Sequence, residues 1–315
     1  MALDDALPAV KRVLKHFRSD RGEAYLPTGE DMADLVTARC QPGLLFDHYS
    51  PGDIEEAFDR YDITKKLSAR GFADLCVGLS GSEEGKQVVS VTAAKGGHRH
   101  VLGEAILRSG QFVTDARFAP SLAGQRFKML FIQWLRLQDP TRSFADGRPA
   151  LPGQIHPGLG VGREVMLLFL GLARRLEFSG IMVCPEFAHN AVLYFYEFRF
   201  FDPASHGRFE ALLGLKEGLS LAEFAWGVER GCVDDLATGK PFRWFHEEML
   251  RATDTVLAGY LSSEEYLVQA ARAREACSLA IDRARLAGLG PIPSHGFESP
   301  DGDHPRRADR DQHPA

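Results

Sequence analysis

Residues 151–176 constrain the fold more than any other stretch of this chain. Gly153, Gly158, Gly160 and Gly162 punctuate a loop that opens directly onto a strongly apolar helical segment, residues 163–176. Glycine lets a backbone turn tightly and approach a ligand closely. The first amides of a helix have no internal partner and lie at the positive end of its dipole. Together these features make an anion site suited to a pyrophosphate. Its candidate residues are Gly158, Leu159, Gly160, Val161, Gly162, Arg163 and Glu164, with Arg163 adding charge. A tight turn into a packed helix is the competing reading of the same residues. Next comes a short apolar run, residues 180–184, which reads as a buried strand stopped by Pro185.

The spacing narrows the ligand. A dinucleotide fold places GxGxxG after its first strand, with an acidic residue about 20 positions later. Here the spacing is Gly158-x-Gly160-x-Gly162, and the loop comes late in the chain. A P-loop ends in GK[ST], whereas Gly162 is followed by Arg163 and Glu164.

The surrounding elements follow from periodicity and turn chemistry. Residues 6–18 have apolar positions at helical spacing, and Thr28 offers an N-cap for a second helix to about Arg39. Ser50 and Pro51 suit the start of a third helix running towards Leu67. Strands are expected at residues 72–79, 87–93, 100–107 and 127–137, with hairpin turns at 80–82 and 95–98. After the glycine loop, helix and strand, residues 189–197 suit a helix and 199–202 another strand. Residues 219–230 and 245–286 are helical in pattern, the latter breaking near 260–263 with Ser262 as cap and Glu265 at its capping-box position. This order predicts an α+β fold with a mixed sheet. Its regions are an N-terminal helical part (1–70), a core (71–218), a C-terminal helical part (219–287) and a Pro-, Gly-, Asp- and His-rich tail (288–315) that reads as disordered.

Bulk properties exclude several classes. The formal net charge is −6 over 315 residues, against the basic face that general nucleic-acid binding needs. No window approaches about 18 uninterrupted apolar residues, so no transmembrane helix is expected. The N-terminal residues carry Asp4 and Asp5 and do not read as a secretory signal, and the expected setting is cytoplasmic. The five cysteines are widely spaced with no CxxC pair, so they predict buried, reduced thiols and no zinc site. His156, Cys184, Glu186 and His189 lack metal-ligand spacing, and no metal is expected.

At this point the segment from Gln154 to Phe201 resembles the GNAT N-acetyltransferase superfamily, whose pyrophosphate loop reads Gln/Arg-x-x-Gly-x-Gly/Ala between a long strand and a helix. Gly160, Val161 and Gly162 match its last three positions, while Pro157 stands where Gln or Arg is usual. The family often follows its next strand with Asn, Ala and Tyr and then Gly-Phe; here Asn190, Ala191 and Tyr194 are followed by Arg199 and Phe200, the glycine being absent. The resemblance extends by element order over residues 72–201.

The resemblance implies a GNAT-like, mostly antiparallel mixed sheet with extra N- and C-terminal helices, and acetyl-CoA as cosubstrate. It implies that the sheet splays between the strands ending near Leu137 and Cys184, with pantetheine in the gap. Asn190 would contact the pantetheine arm, and Tyr194 would protonate the leaving thiolate. The acceptor would be a small-molecule or peptide amine, with no nucleic acid or membrane as partner. Attack on the thioester needs positioning, oxyanion donors and a base. Glu104 is the first candidate base, with Glu186 and His189 as others. The extra helices are available for an acceptor pocket or a homodimer contact. The alternative reading is a GNAT-like module that binds acyl-CoA without catalysis.

Overall fold

The computed structural model describes residues 43–81, 86–145 and 147–289. The helices expected at 6–18 and 28–39, and the tail beyond 289, lie outside the described residues. The chain forms an α+β fold around a seven-stranded, mostly antiparallel sheet flanked by helices.

Helix α1 (Pro51–Arg60) starts as its sequence dictates. The Ser50 hydroxyl accepts from the Asp53 amide, the Asp53 carboxylate accepts from the Ser50 amide, and Pro51 occupies the first turn. The expected single helix to Leu67 divides at Asp62, which is left-handed (φ 60°), and resumes as α2 (Ile63–Ser68). Ile54, Phe58, Ile63 and Leu67 form the buried stripe of the pair.

Strands β1 (Ala73–Gly81), β2 (Lys86–Lys95), β3 (His98–Val113) and β4 (Arg126–Leu137) make an antiparallel meander. Gly96 and Gly97 turn the β2–β3 hairpin with positive φ. The near-continuous apolar run of β4 has a physical cause, since both of its faces are covered. Leu130 and Ile132 enter one core, shared with the helix after the glycine loop, while Met129 and Phe131 enter a second on the opposite face. A bulge on β4 at Gln133, opposite Ile106 and Leu107 of β3, resets the register of the pair.

The glycine loop leads into α3 (Gly162–Arg175), which returns the chain to β5 (Gly180–Val183). β5 is wholly buried and runs parallel to β4. Helix α4 (Ala188–Tyr194), strand β6 (Arg199–Phe200), α5 (Pro203–Gly214) and α6 (Leu221–Glu229) follow.

The C-terminal region is not purely helical. It contributes β7 (Val233–Asp235), β8 (Lys240–Pro241), β9 (Met249–Ala252) and β10 (Leu279–Ile281). β9 inserts into the main sheet between β5 and β6, giving the order β1-β2-β3-β4-β5-β9-β6, while β10, β7 and β8 form a second small sheet. Helices α7 (Thr255–Leu261) and α8 (Glu264–Ala276) pack over the second core, and α9 (Arg283–Gly288) closes the described chain. The cap of α8 is Ser263, one residue beyond the expected Ser262.

Among the described residues no helix is long and apolar enough to cross a membrane. Cys184, Cys232 and Cys277 are not disulfide-bonded, but Cys76 is, which corrects the expectation of uniformly reduced cysteines.

Candidate functional site

The site is set by a mismatch in strand length. β4 runs to Leu137, yet β5 pairs with it only from Met129↔Gly180 to Ile132↔Val183. Beyond Ile132 the last third of β4 outruns its parallel neighbour. The glycine loop closes the far end of this opening. The Leu159 amide donates to the Leu137 carbonyl (3.3 Å), the Asp139 amide to the Pro157 carbonyl (2.7 Å), and the His156 amide to Gln138 Oε1 (3.1 Å). Residues 133–136 of β4 therefore lie between the end of the β5 ladder and the base of the loop.

The loop separates its residues by role. Leu159 and Val161 are buried in the main core, whereas Gly158, Gly160, Gly162 and Arg163 are exposed. This corrects part of the expected cradle, because the Leu159 amide is committed to β4 and faces no ligand. Gly160 has φ +66°, and a Cβ there would fall 2.8 Å from Arg70 Nη2. Helix α3 begins after Val161 with no side-chain cap. The Gly162 and Arg163 amides thus belong to a helix start whose first donors no capping side chain satisfies.

Glu164 complicates this helix start. Its carboxylate pairs with Lys66 of α2 (2.8 Å), and it also accepts from its own backbone amide. Desolvation alone would raise its pKa. The Lys66 hydrogen bond, the backbone amide and the charges of Lys66 and Arg163 outweigh that and hold it below the ordinary carboxylate value. Arg70, just past α2, reaches Gly158 O with Nη1 at 3.5 Å. Arg70 therefore places a cation against the loop, while Lys66 and Arg163 act on the Glu164 carboxylate at the helix start. Sequence reading missed Lys66 and Arg70, which lie 88 residues from the loop in the case of Arg70 and Gly158. Their only local signal is an i, i+4 pair of cations at the end of a predicted helix.

The other candidates lie on α4, on β3 and in the loop before α3. Asn190 sits in the first turn of α4, just after β5, with its amide donating to Phe187 O (3.0 Å). Tyr194 ends the same helix, its ring centroid 5.6 Å from that of Phe198. Burial around its phenol pushes the pKa up to about 12, so at neutral pH the group is a proton donor.

Glu104 is buried on β3 directly opposite Arg136 of β4, and the two form an ion pair. This corrects its expected role as a free base, since the carboxylate is already committed. His189 is buried with Nδ1 unpartnered and its ring stacked on Phe187; burial drives its pKa down to about 3. It is neutral at physiological pH and too weak a base for an ammonium proton. His156 also has a lowered pKa, caused first by burial and then by the Arg136 charge, with Asp139 opposing. Its Nε2 is buried without a partner.

Indole N–H groups from the C-terminal region pin the flanks of the site. Trp226 donates to Ala150 O (2.8 Å) and Trp244 to Pro185 O (3.1 Å). Among the described residues no cluster of His, Cys, Asp and Glu offers a metal site. No family model, curated protein or solved structure matches this chain.

Proposed function

We propose that the chain binds an acyl-CoA in a GNAT-like manner and transfers its acyl group, acetyl in the simplest case, to an amine. The observation that carries this reading is the coincidence of two features. A parallel strand pair, β4 and β5, opens at one end, and the helix crossing between them starts without an N-cap side chain at that same end, with Arg70 against its loop and Lys66 and Arg163 beside its Glu164. The pantetheine arm would lie along residues 133–136 of β4, and the diphosphate would rest on Gly158, Gly160 and the amides of Gly162 and Arg163. Asn190 and Tyr194 lie on α4, which follows β5, and Tyr194 would hold its proton for the departing thiolate. The reading implies a cytoplasmic setting and an amine acceptor that is a small molecule or a peptide.

One observation favours the alternative of a binding module without turnover. Glu104 is neutralised by Arg136, and His189 has too low a pKa to serve as a base.

The test uses Gly162→Glu. A Cβ at Gly162 would meet nothing within 4 Å, and its φ is ordinary. An acidic residue at a helix start is moreover favourable to folding. The variant should therefore fold as the parent does and lose acetyl-CoA affinity in calorimetry. Equal affinity in both proteins would remove the loop assignment. Release of free thiol across an amine panel then separates transferase from module.

A further inference from the structure

A cavity of about 190 Å³ lies between α1, α3 and the sheet, beside the opening of the β4–β5 pair. Ala57 of α1, Phe169 of α3, Ala105 of β3, and Leu135 and Leu137 of β4 contribute to its wall. Leu135 and Leu137 belong to the part of β4 that outruns β5, so the cavity adjoins the stretch where the thioester end of pantetheine would lie. We propose that this cavity receives the acyl chain, and that the preferred donor is a medium-chain acyl-CoA of roughly six to eight carbons. This rests on the acyl-CoA reading above and specifies its substrate.

Three features point to an uncharged chain as occupant. The charged residues that border the cavity, among them Asp53, Arg60 and Arg175, are exposed positions on the outer helices and form its rim. The one buried charge in the wall, Glu104, is already paired with Arg136, so an ammonium group entering the cavity would find no free counter-charge. The volume also matches: an apolar cavity of about 150 Å³ admits benzene, a six-carbon ring. Apolar walls reward each added methylene until the space is filled. Beyond that length the close-packed surroundings resist expansion.

The experiment is calorimetry on the full chain with acetyl-, hexanoyl-, octanoyl- and palmitoyl-CoA. Octanoyl-CoA should bind at least about tenfold more tightly than acetyl-CoA, and palmitoyl-CoA should show no further gain. Ala57→Phe and, independently, Ala105→Leu should abolish the octanoyl advantage and leave acetyl-CoA affinity within about twofold. Tight binding of every thioester with no chain-length preference in the unmodified chain overturns the cavity assignment and leaves the loop reading standing. Absence of binding by every CoA species overturns both. A thermal shift with octylamine that Ala57→Phe abolishes, in a chain indifferent to acyl length, assigns the cavity to an amine and overturns the proposal.

Discussion

Glu164→Gln should weaken the fold and strengthen the ligand site at once. In the folded chain the Glu164 carboxylate lies 2.8 Å from Lys66 Nζ at the start of α3, the Glu164 side chain being 15% and the Lys66 side chain 44% exposed. A half-exposed pair of this kind contributes about 0.2–1 kcal/mol, and an acidic residue at a helix start adds about 0.3–1 kcal/mol. Losing both should lower stability by about 1 kcal/mol, or roughly 2–4 °C in Tm for a domain of this size. The effect on ligand binding has the opposite sign. A diphosphate on the same helix start would face the carboxylate at about 6 Å; with an effective dielectric near 40, each unit of charge there is opposed by about 1.4 kcal/mol. Removing that repulsion should tighten acetyl-CoA binding about tenfold for each unit of diphosphate charge at low ionic strength, and the gain should shrink as salt rises because the charges are partly exposed. Calorimetry at two salt concentrations, alongside thermal melting, measures both effects. If the dissociation constant stays within about a factor of two of the parent value at low salt, the diphosphate does not sit on this helix start, whatever happens to Tm.

Three further outcomes follow from single residues. Gly160→Ala should cost about 1–2 kcal/mol for its left-handed backbone, and more for displacing Arg70, whose Nη2 would lie 2.8 Å from the new Cβ; chemical denaturation reads this directly. Tyr194→Phe should leave stability nearly unchanged, since no hydrogen bond to the phenol is present among the described residues, and should lower kcat about 10–100-fold with little change in KM. Because its pKa is about 12, Tyr194 should produce no alkaline fall in rate below about pH 10 in the parent. His189 has a folded pKa of about 3 against an ordinary 6.5, so the unfolded chain takes up the proton first. Stability from this site is intact above about pH 6.5 and declines by up to about 1.4 kcal/mol per pH unit as pH falls towards 3. His189→Leu should flatten that decline in acid titrations followed by circular dichroism, and an unchanged acid midpoint would show that His189 is not buried neutral.

The parts of this fold legible in the sequence are those governed by local rules. Ser50, Pro51 and Asp53 fix a helix start through contacts within three residues. The meander shows in the alternation of its strands, and in the β2–β3 turn at Gly96 and Gly97. The glycine loop is equally local. What escaped reading depends on distant partners. β9 looks helical in the sequence because Met249 and Leu250 sit in a run with helical spacing, but docking between β5 and β6 buries both residues completely. The buried contacts of a central strand outweigh local propensity. Helix α5 was not anticipated either. Pro203 stands in its first turn, where proline is tolerated. Gly207 lets α5 lie against α8 so closely that a Cβ would meet Ala270 O at 2.0 Å. Glu104 is a candidate base in the sequence as a carboxylate on a predicted strand; its partner Arg136 lies across the strand pair, a relation that register fixes and spacing does not reveal.

The glycines of the loop allow a sharper separation between what the fold requires and what a ligand would require. Gly160 is needed by the backbone itself, since its positive φ disfavours any side chain there. Gly158 and Gly162 are different. A Cβ at Gly158 would meet only Leu137 O at an ordinary 3.8 Å, and one at Gly162 would meet nothing within 4 Å. Neither has positive φ, so the fold would accept alanine at both and gain about 0.4–1 kcal/mol from the stiffer unfolded chain. Glycine at these two exposed positions therefore forgoes stability without any return in packing or geometry. Both are exposed at the approach to the helix start, with Arg70 against Gly158 and Arg163 next to Gly162 in the chain. A bare backbone beside positive charge lets an anion come within hydrogen-bonding distance of main-chain amides, which a methyl group would hold away. Backbone geometry accounts for Gly153 and Gly160, and under the proposed reading close approach of a diphosphate would account for Gly158 and Gly162.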